Sequence, residues 1–438
     1  MIQKATSLVD IFNVFTPRAL TEEDREFYQE TAHVRDGANY EFYQSLYKRI
    51  ESSRSKAHLL VVGHPGCGKS TELRMLAAKL RDEGNYPSIT IEVRDDNLDL
   101  FALTYIDIFM LVVQRLAEHA AKSNLKIDER IIAAFNDALS TETINSYKVE
   151  ETGTSGEAGV SASLTLPGFL NIISRITTSF STGSGVRENL RREINPKMPE
   201  ITLAINALID NINDQNNQKN NRRNMVIIID GLEKCRQDNV RKLFSDDISA
   251  MASINTHLIL TCPINVYRSA DLAAIHGYFA RPNFMPMIKI HHNNKERKLY
   301  DEGVAVIKNL IHKRVDSLYF EIDVLDTIIA MAGGNLRQTC MFLSDCAFEA
   351  YMRERTTIDM DSVIFTLNKH AVDLFLSAKN DYYPAMKKIY DGDHHLQNDA
   401  DLSELLYTSV VFEYNGERWI DLHPLVRQFI DKRPGVLD

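Results

Sequence analysis

The residues with the clearest chemical purpose are Gly63-His64-Pro65-Gly66-Cys67-Gly68-Lys69-Ser70, followed by Thr71. They fit the pattern G-x-x-x-x-G-K-[ST]. Glycines at 63, 66 and 68 permit positive φ and let a ligand approach bare backbone. Successive N–H groups turned inward form an anion nest at a helix start, where the helix dipole adds its attraction. Lys69 is placed to reach β- and γ-phosphates, and the Ser70 hydroxyl to ligate Mg²⁺. Thr71 is expected beside the α-phosphate. The chemistry is nucleotide binding, and Lys69 is expected to be exposed in the empty cradle.

Such a cradle needs an acid at the end of a neighbouring strand to hold the metal's water shell. "NMVIIIDGLEKC" supplies Asp230 after the apolar run Met225 to Ile229. Parallel α/β sheets place ligands at that crevice. Glu233 follows three residues later and is a candidate for polarising the attacking water. An acid in a first helical turn is also favoured by the dipole alone. Thr261, near the end of "HLILTCPI" (257–264), offers a hydroxyl for the γ-phosphate.

These residues need a sheet to hold them. The runs 59–62, 88–93, 225–229, 257–264 and "MPMIKI" (285–290) read as five strands separated by helical stretches. That is the pattern of a doubly wound parallel sheet. Helices are expected at 99–122, 126–139 and Arg187 to Asn213, with "QNNQKNNRRN" (215–224) as a polar loop. The stretch 150–185 is rich in Gly, Ser and Thr, with a more apolar centre from Phe169 to Ile176. It reads as a mobile linker or as an insertion that contacts a partner.

The order of these motifs resembles the AAA+ ATPases, within them the initiator-like branch and the related STAND signalling ATPases. "GGNLRQTCMFLSDCAFEA" (333–350) resembles their sensor 2 helix, which puts Arg337 in the role of reaching back to the γ-phosphate. "DGLEK" departs from the common pattern, where the catalytic Glu directly follows the Asp, and looks more like STAND and KAP variants. The resemblance implies ATP with Mg²⁺, hydrolysis, and a P-loop NTPase fold with a five-stranded parallel sheet, helical lid and C-terminal winged-helix-like domain. It also implies base-side contacts from Arg35 and an arginine finger, with Arg281 first choice and Arg268 second. A homo-oligomer follows, and bacterial anti-phage defence alongside a separate effector protein. The competing reading is a DNA-handling ATPase, an initiator or transposition regulator.

The boundaries expected are 1–56 for an N-terminal helical segment, 57–300 for the ATPase core with an insertion at about 94–224, 301–378 for the lid, and 379–438 for the winged-helix-like module. In that module "VVFEYNGERWI" (410–420) reads as a hairpin around Asn415-Gly416. The candidate recognition stretch 400–409 carries acids and no lysine or arginine, which weighs against phosphate contacts. The 438 residues carry a formal charge of -10, giving no global attraction to nucleic acid. No run approaches the roughly 18 apolar residues of a membrane span, and "MIQKATSLVD" lacks a signal-peptide core. The odd count of 5 cysteines reads as reduced thiols, and the setting expected is cytoplasmic. The pairs His291-His292 and His394-His395 read as surface histidines.

Overall fold

The computed structural model describes residues 2–96, 98–140, 165–181, 184–220, 223–268, 275–294, 296–393, 400–414 and 419–437. Its centre is a sheet of β1 (His58–Val62), β2 (Ser88–Glu92), β3 (Val226–Asp230), β4 (His257–Cys262) and β5 (Asn283–Phe284). The order is β2-β3-β4-β1-β5, with every pairing parallel. β4 thus lies between β1, which feeds the glycine turn, and β3, which ends in Asp230.

Side chains alternate faces along a strand, so a sheet buried on both sides needs apolar residues at every position. Leu59, Val61, Val226, Ile228 and Ile259 pack on one face with Leu46 and Ile50 of one helix and Leu73, Leu76 and Leu80 of another. Leu60, Val62, Ile227, Ile229, Leu258 and Leu260 join the larger core on the other face. The helices are α1 (Leu8–Val14), α2 (Phe42–Ser52), α3 (Lys69–Asp82), α4 (Tyr105–Lys122), α5 (Glu129–Ala138), α6 (Leu166–Ser181), α7 (Ser184–Ile194) and α8 (Met198–Asn220). α2 and α3 cover the first face.

The insertion differs from expectation. α6 occupies the Gly/Ser/Thr-rich stretch and buries Phe169, Ile172, Ile173, Ile176 and Phe180 against α4. Each such side chain contributes about 1.5–3 kcal/mol when fully buried, which a linker would forgo. Residues 141–164 lie outside the described set. The single helix expected over Arg187 to Asn213 is broken at Asn195–Lys197, where Pro196 lacks an N–H. The polar stretch 215–224 is helical as far as Asn220. Amides at and just before it make these contacts: Gln215 bonds both backbone groups of Lys126, and Asn213 accepts from Met225 N at 2.9 Å.

The expected strand at 285–290 is also absent. Pairing ends at Phe284, and Pro286 follows. The run is apolar because it is buried beneath the lid, where Ile288 O lies so near Gly334 that a Cβ there would sit at 1.9 Å. The lid comprises α9 (Asp301–His312), α10 (Val324–Ala332), α11 (Leu336–Met352) and α12 (Met360–Leu376). α1 packs on α11, with the Phe12 and Phe348 rings 5.4 Å apart. The C-terminal part holds α13 (Tyr383–Tyr390), α14 (Ala400–Tyr407), the antiparallel pair β6 (Val411–Glu413) and β7 (Ile420–Leu422), and α15 (Pro424–Asp431). The Asn415-Gly416 turn and His394-His395 lie outside the described residues. His291 is not a surface histidine: it is 9% exposed, and its Nδ1 lies 3.2 Å from Arg297 O. Among the described residues no helix is long and apolar enough to cross a membrane.

Candidate functional site: a glycine cradle between lid and sheet

β1 delivers the chain into the turn at the carboxyl edge of the sheet, and α3 begins at Lys69. Gly66 (φ 87°) and Gly68 (φ 112°) take the left-handed backbone that favours glycine. Gly63 does not. It is required for another reason: a Cβ there would stand 2.7 Å from Met285 O.

Lys69 is only 3% exposed, against the expectation of a free side chain. Its Nζ donates to Gly63 O at 2.9 Å and His64 O at 3.0 Å, and lies 3.5 Å from Glu233 Oε1. The lysine is folded back onto its own loop. Burial works against its charge, but Glu233 and Asp230 outweigh that and raise its pKa. Asp230 ends β3 and is buried, with the Ser70 side chain beside it favouring its charged form. Burial first, and then the neighbouring Glu233, push its pKa up to about 6. Glu233 sits in a short 3-10 turn, Leu232–Lys234. Burial opposes its charge too, yet Lys69 and Lys234 hold its pKa below the usual range. Asp230 Oδ1 and Glu233 Oε2 are buried without a hydrogen-bond partner. Two orphaned carboxylate oxygens beside a serine and a lysine suit a hydrated divalent cation on a phosphate.

The other expected residues divide. Thr261 is fully buried, and its Oγ1 accepts from Gly231 N at 3.0 Å and Leu232 N at 3.1 Å. It shapes the loop that carries Glu233, and these bonds use the lone pairs of its oxygen while leaving the O–H to donate. Thr71 Oγ1 accepts from Leu20 N at 3.3 Å, tying the N-terminal segment to the cradle. Arg337, exposed at the start of α11, lines the cavity, and its backbone N donates to Gly66 O at 3.2 Å. Asn335 caps α11 and also donates to Pro65 O at 2.9 Å. A Cβ on Gly66 would meet Asn335 Oδ1 at 2.3 Å, so the lid seats directly on this glycine.

Arg35 lines the cavity but is buried, and each of its three nitrogens is engaged. It donates to Thr31 Oγ1 at 2.9 Å, to Cys67 O at 2.6 Å and to Pro286 O, stapling the turn to the segment after β5 rather than facing a base. His64 likewise points away: its Nε2 accepts from Glu413 N of β6 at 2.8 Å. Cys67 is buried in the apolar cluster that includes Met285, Phe412 and Tyr414. Arg268 is engaged bidentately by Glu413, one bond being 2.9 Å, and is no free finger. Arg281 is exposed just before β5, outside the residues lining the cavity.

The cavity has a volume of about 520 Å³ and runs from the turn to the lid and the N-terminal segment. Sequence reasoning missed several of its walls. Glu72, one turn into α3, is buried and accepts from Tyr28 Oη at 2.8 Å and Tyr43 N at 2.9 Å. Burial pushes its pKa up to about 7. Lys234, Arg94 and Arg314 add cations that no local pattern marks.

A five-stranded parallel sheet with β4 between β1 and β3, and a cradle of this geometry, define a P-loop NTPase fold. More particularly, residues 39–256 match the profile of the KAP family P-loop domain. That match ends just before β4, so the lid and C-terminal part lie outside it. No curated protein matches the chain. Among solved structures it is similar to the Thermotoga maritima RuvB Holliday junction branch migration motor, at 12% identity and TM-score 0.36, covering 95% of this chain and 98% of that one. It is also similar to Cdc6p from Pyrobaculum aerophilum, at 12% identity and TM-score 0.37, covering 96% of each. The Aeropyrum pernix ORC2 protein, in ADPNP-ADP complexes, shows 10% identity and TM-score 0.39, again covering 96% of each.

Proposed function

We propose that the chain is an ATP-dependent switch that binds Mg·ATP in the Gly63–Thr71 turn and hydrolyses it. The observation that carries this is the pair of orphaned buried oxygens, Asp230 Oδ1 and Glu233 Oε2, beside Lys69 and Ser70. Ser70 and Asp230 would hold Mg²⁺, which when bound supplies charge neutralisation at the β- and γ-oxygens. Lys69 leaves the Gly63 and His64 carbonyls for the phosphates, which frees Glu233 from its ion pair. Glu233 then orients water and takes its proton. Arg337 answers the γ-phosphate and carries that state into α11 and the lid. A neighbouring copy completes the site by presenting Arg281.

On the resemblance, we place the switch in bacterial anti-phage defence with a separate effector protein. The DNA-handling alternative is disfavoured by α14. Leu402, Leu405 and Leu406 are buried there, and Glu404 accepts from Gln237 Nε2 at 3.2 Å, so the stretch read as the candidate recognition helix is acidic and packs inward. One variant tests both statements. Glu233→Gln is expected to bind ATP but lose about 10²–10⁴-fold in phosphate release, the scale of a general base. A host carrying it is expected to lose phage resistance that the wild type confers. Wild-type hydrolysis by the variant moves the water-activating role elsewhere, and equal plating with either form ends the defence assignment.

A further inference from the structure

At the end of the cavity away from the turn, one guanidinium has no ion-pair partner among the described residues. Arg314 follows α9 and is 7% exposed, yet it lines the cavity. Its Nε is buried with no hydrogen-bond partner. Among the described residues no carboxylate lies within ion-pair distance, and its nearest ring is Phe15, with Cζ 5.9 Å from the centroid. Buried charges are ordinarily paired. Burial drags the pKa of this arginine below its ordinary value, as expected of an uncompensated charge.

Its place along the cavity is fixed by its neighbours. Arg337 marks the phosphate end, with its backbone on Gly66 and its charge felt by Lys69. Cys340 lies three residues further along α11, about 4.5 Å of helical rise. Arg314 interacts electrostatically with Cys340, Arg18 and Asp24. The same lining holds apolar Leu20, Phe27, Leu310 and Leu336 beside polar Tyr28, Gln29 and Thr31. Apolar side chains in that lining suit a flat ring rather than a second phosphate. The ring edge then meets five potential donors on Arg314 and needs acceptors to match them.

We infer that Arg314 is the base-reading residue, donating to a ring-nitrogen acceptor of the adenine of bound ATP. The exocyclic amino group, itself a donor, must point elsewhere. This assignment takes over the role expected of Arg35, whose three nitrogens already donate to Thr31, Cys67 and Pro286. It rests on the nucleotide reading of the turn.

The experiment compares Mg·ATP with inorganic tripolyphosphate, each titrated calorimetrically into wild type, Arg314→Met and Arg314→Lys. Arg314→Met is expected to bind ATP about 10- to 100-fold more weakly, the range of one charge-assisted hydrogen bond, with tripolyphosphate unchanged. Arg314→Lys, which keeps a donor, is expected to recover part of the loss. Ligand-free Arg314→Met is expected to melt no lower than wild type, because an apolar side chain replaces an unpaired buried charge. Unchanged ATP affinity in Arg314→Met overturns the inference. So does an equal loss for both ligands together with a lower melting temperature, which marks a structural arginine. Wild type that binds tripolyphosphate as tightly as ATP overturns base reading while leaving the turn intact; wild type that binds neither overturns both.

Discussion

At the residue scale, what separates the legible from the hidden is whether a side chain answers to its own segment or to a distant one. Lys69, Ser70 and Asp230 were legible because the chemistry of a phosphate cradle fixes residue type at fixed spacing. His64 belongs to the same motif and reads as part of the same cradle, yet it is fully buried against β6 and the Phe412 ring, 5.4 Å away. Nothing near position 64 encodes that partner, 349 residues on. The burial has a consequence in solution. Burial first, then Lys69 and Arg268, hold the His64 pKa at about 3 against an ordinary 6.5. The unfolded chain therefore takes up a proton that the folded chain refuses, and the contribution is complete above pH 6.5 and drains as pH falls. Between pH 6.5 and 5 it amounts to about 2 kcal/mol. Melting curves are expected to show a steeper loss of stability over that interval for wild type than for His64→Gln, which keeps an acceptor for Glu413 N. Parallel slopes would mean His64 remains accessible to protons in the native state.

At the element scale, local patterns located four of the five strands and the turn-helix unit, because apolar runs and glycine spacing are properties of short windows. The errors came where composition and burial disagree. α6 lies in a stretch whose Gly, Ser and Thr content suggests mobility, but its Phe and Ile residues recur at helical spacing and pack on α4. Residues 285–290 look like a strand because burial beneath a lid selects the same residue types as burial in a sheet. The placement of the C-terminal hairpin was invisible for the same reason as His64. Glu413 pairs with Arg268, and Tyr414 Oη donates to Gly333 O at 2.9 Å, so β6 touches both the turn and the glycines that open α11. The turn is thereby clasped from two sides: the lid holds Gly66 and Pro65, and the hairpin holds His64. A phosphate that draws Lys69 off the carbonyls of Gly63 and His64 alters the backbone on which both elements rest.

At the scale of the whole molecule, the question is whether one chain completes the site. Arg268 is pinned by Glu413, and Arg337 belongs to the chain's own lid; Arg281 is exposed just before the edge strand β5. A head-to-tail assembly would present it to a neighbour. Arginine fingers raise turnover by about 10³–10⁵ in related phosphoryl transfers. Mixing Lys69→Ala with Arg281→Ala, each inactive alone, is expected to restore part of the activity through complementary half-sites. No recovery, with a monomeric mass in saturating Mg·ATP, would mean that the site is complete within one chain. All of this depends on the turn binding a nucleotide, and calorimetric titration of Mg·ATP into wild type and Lys69→Ala tests that most directly. The expected result is saturable 1:1 binding to wild type, weakened at least about tenfold in the variant, a step of 1.4 kcal/mol. Equal affinity for both proteins, or no binding to wild type, would contradict it.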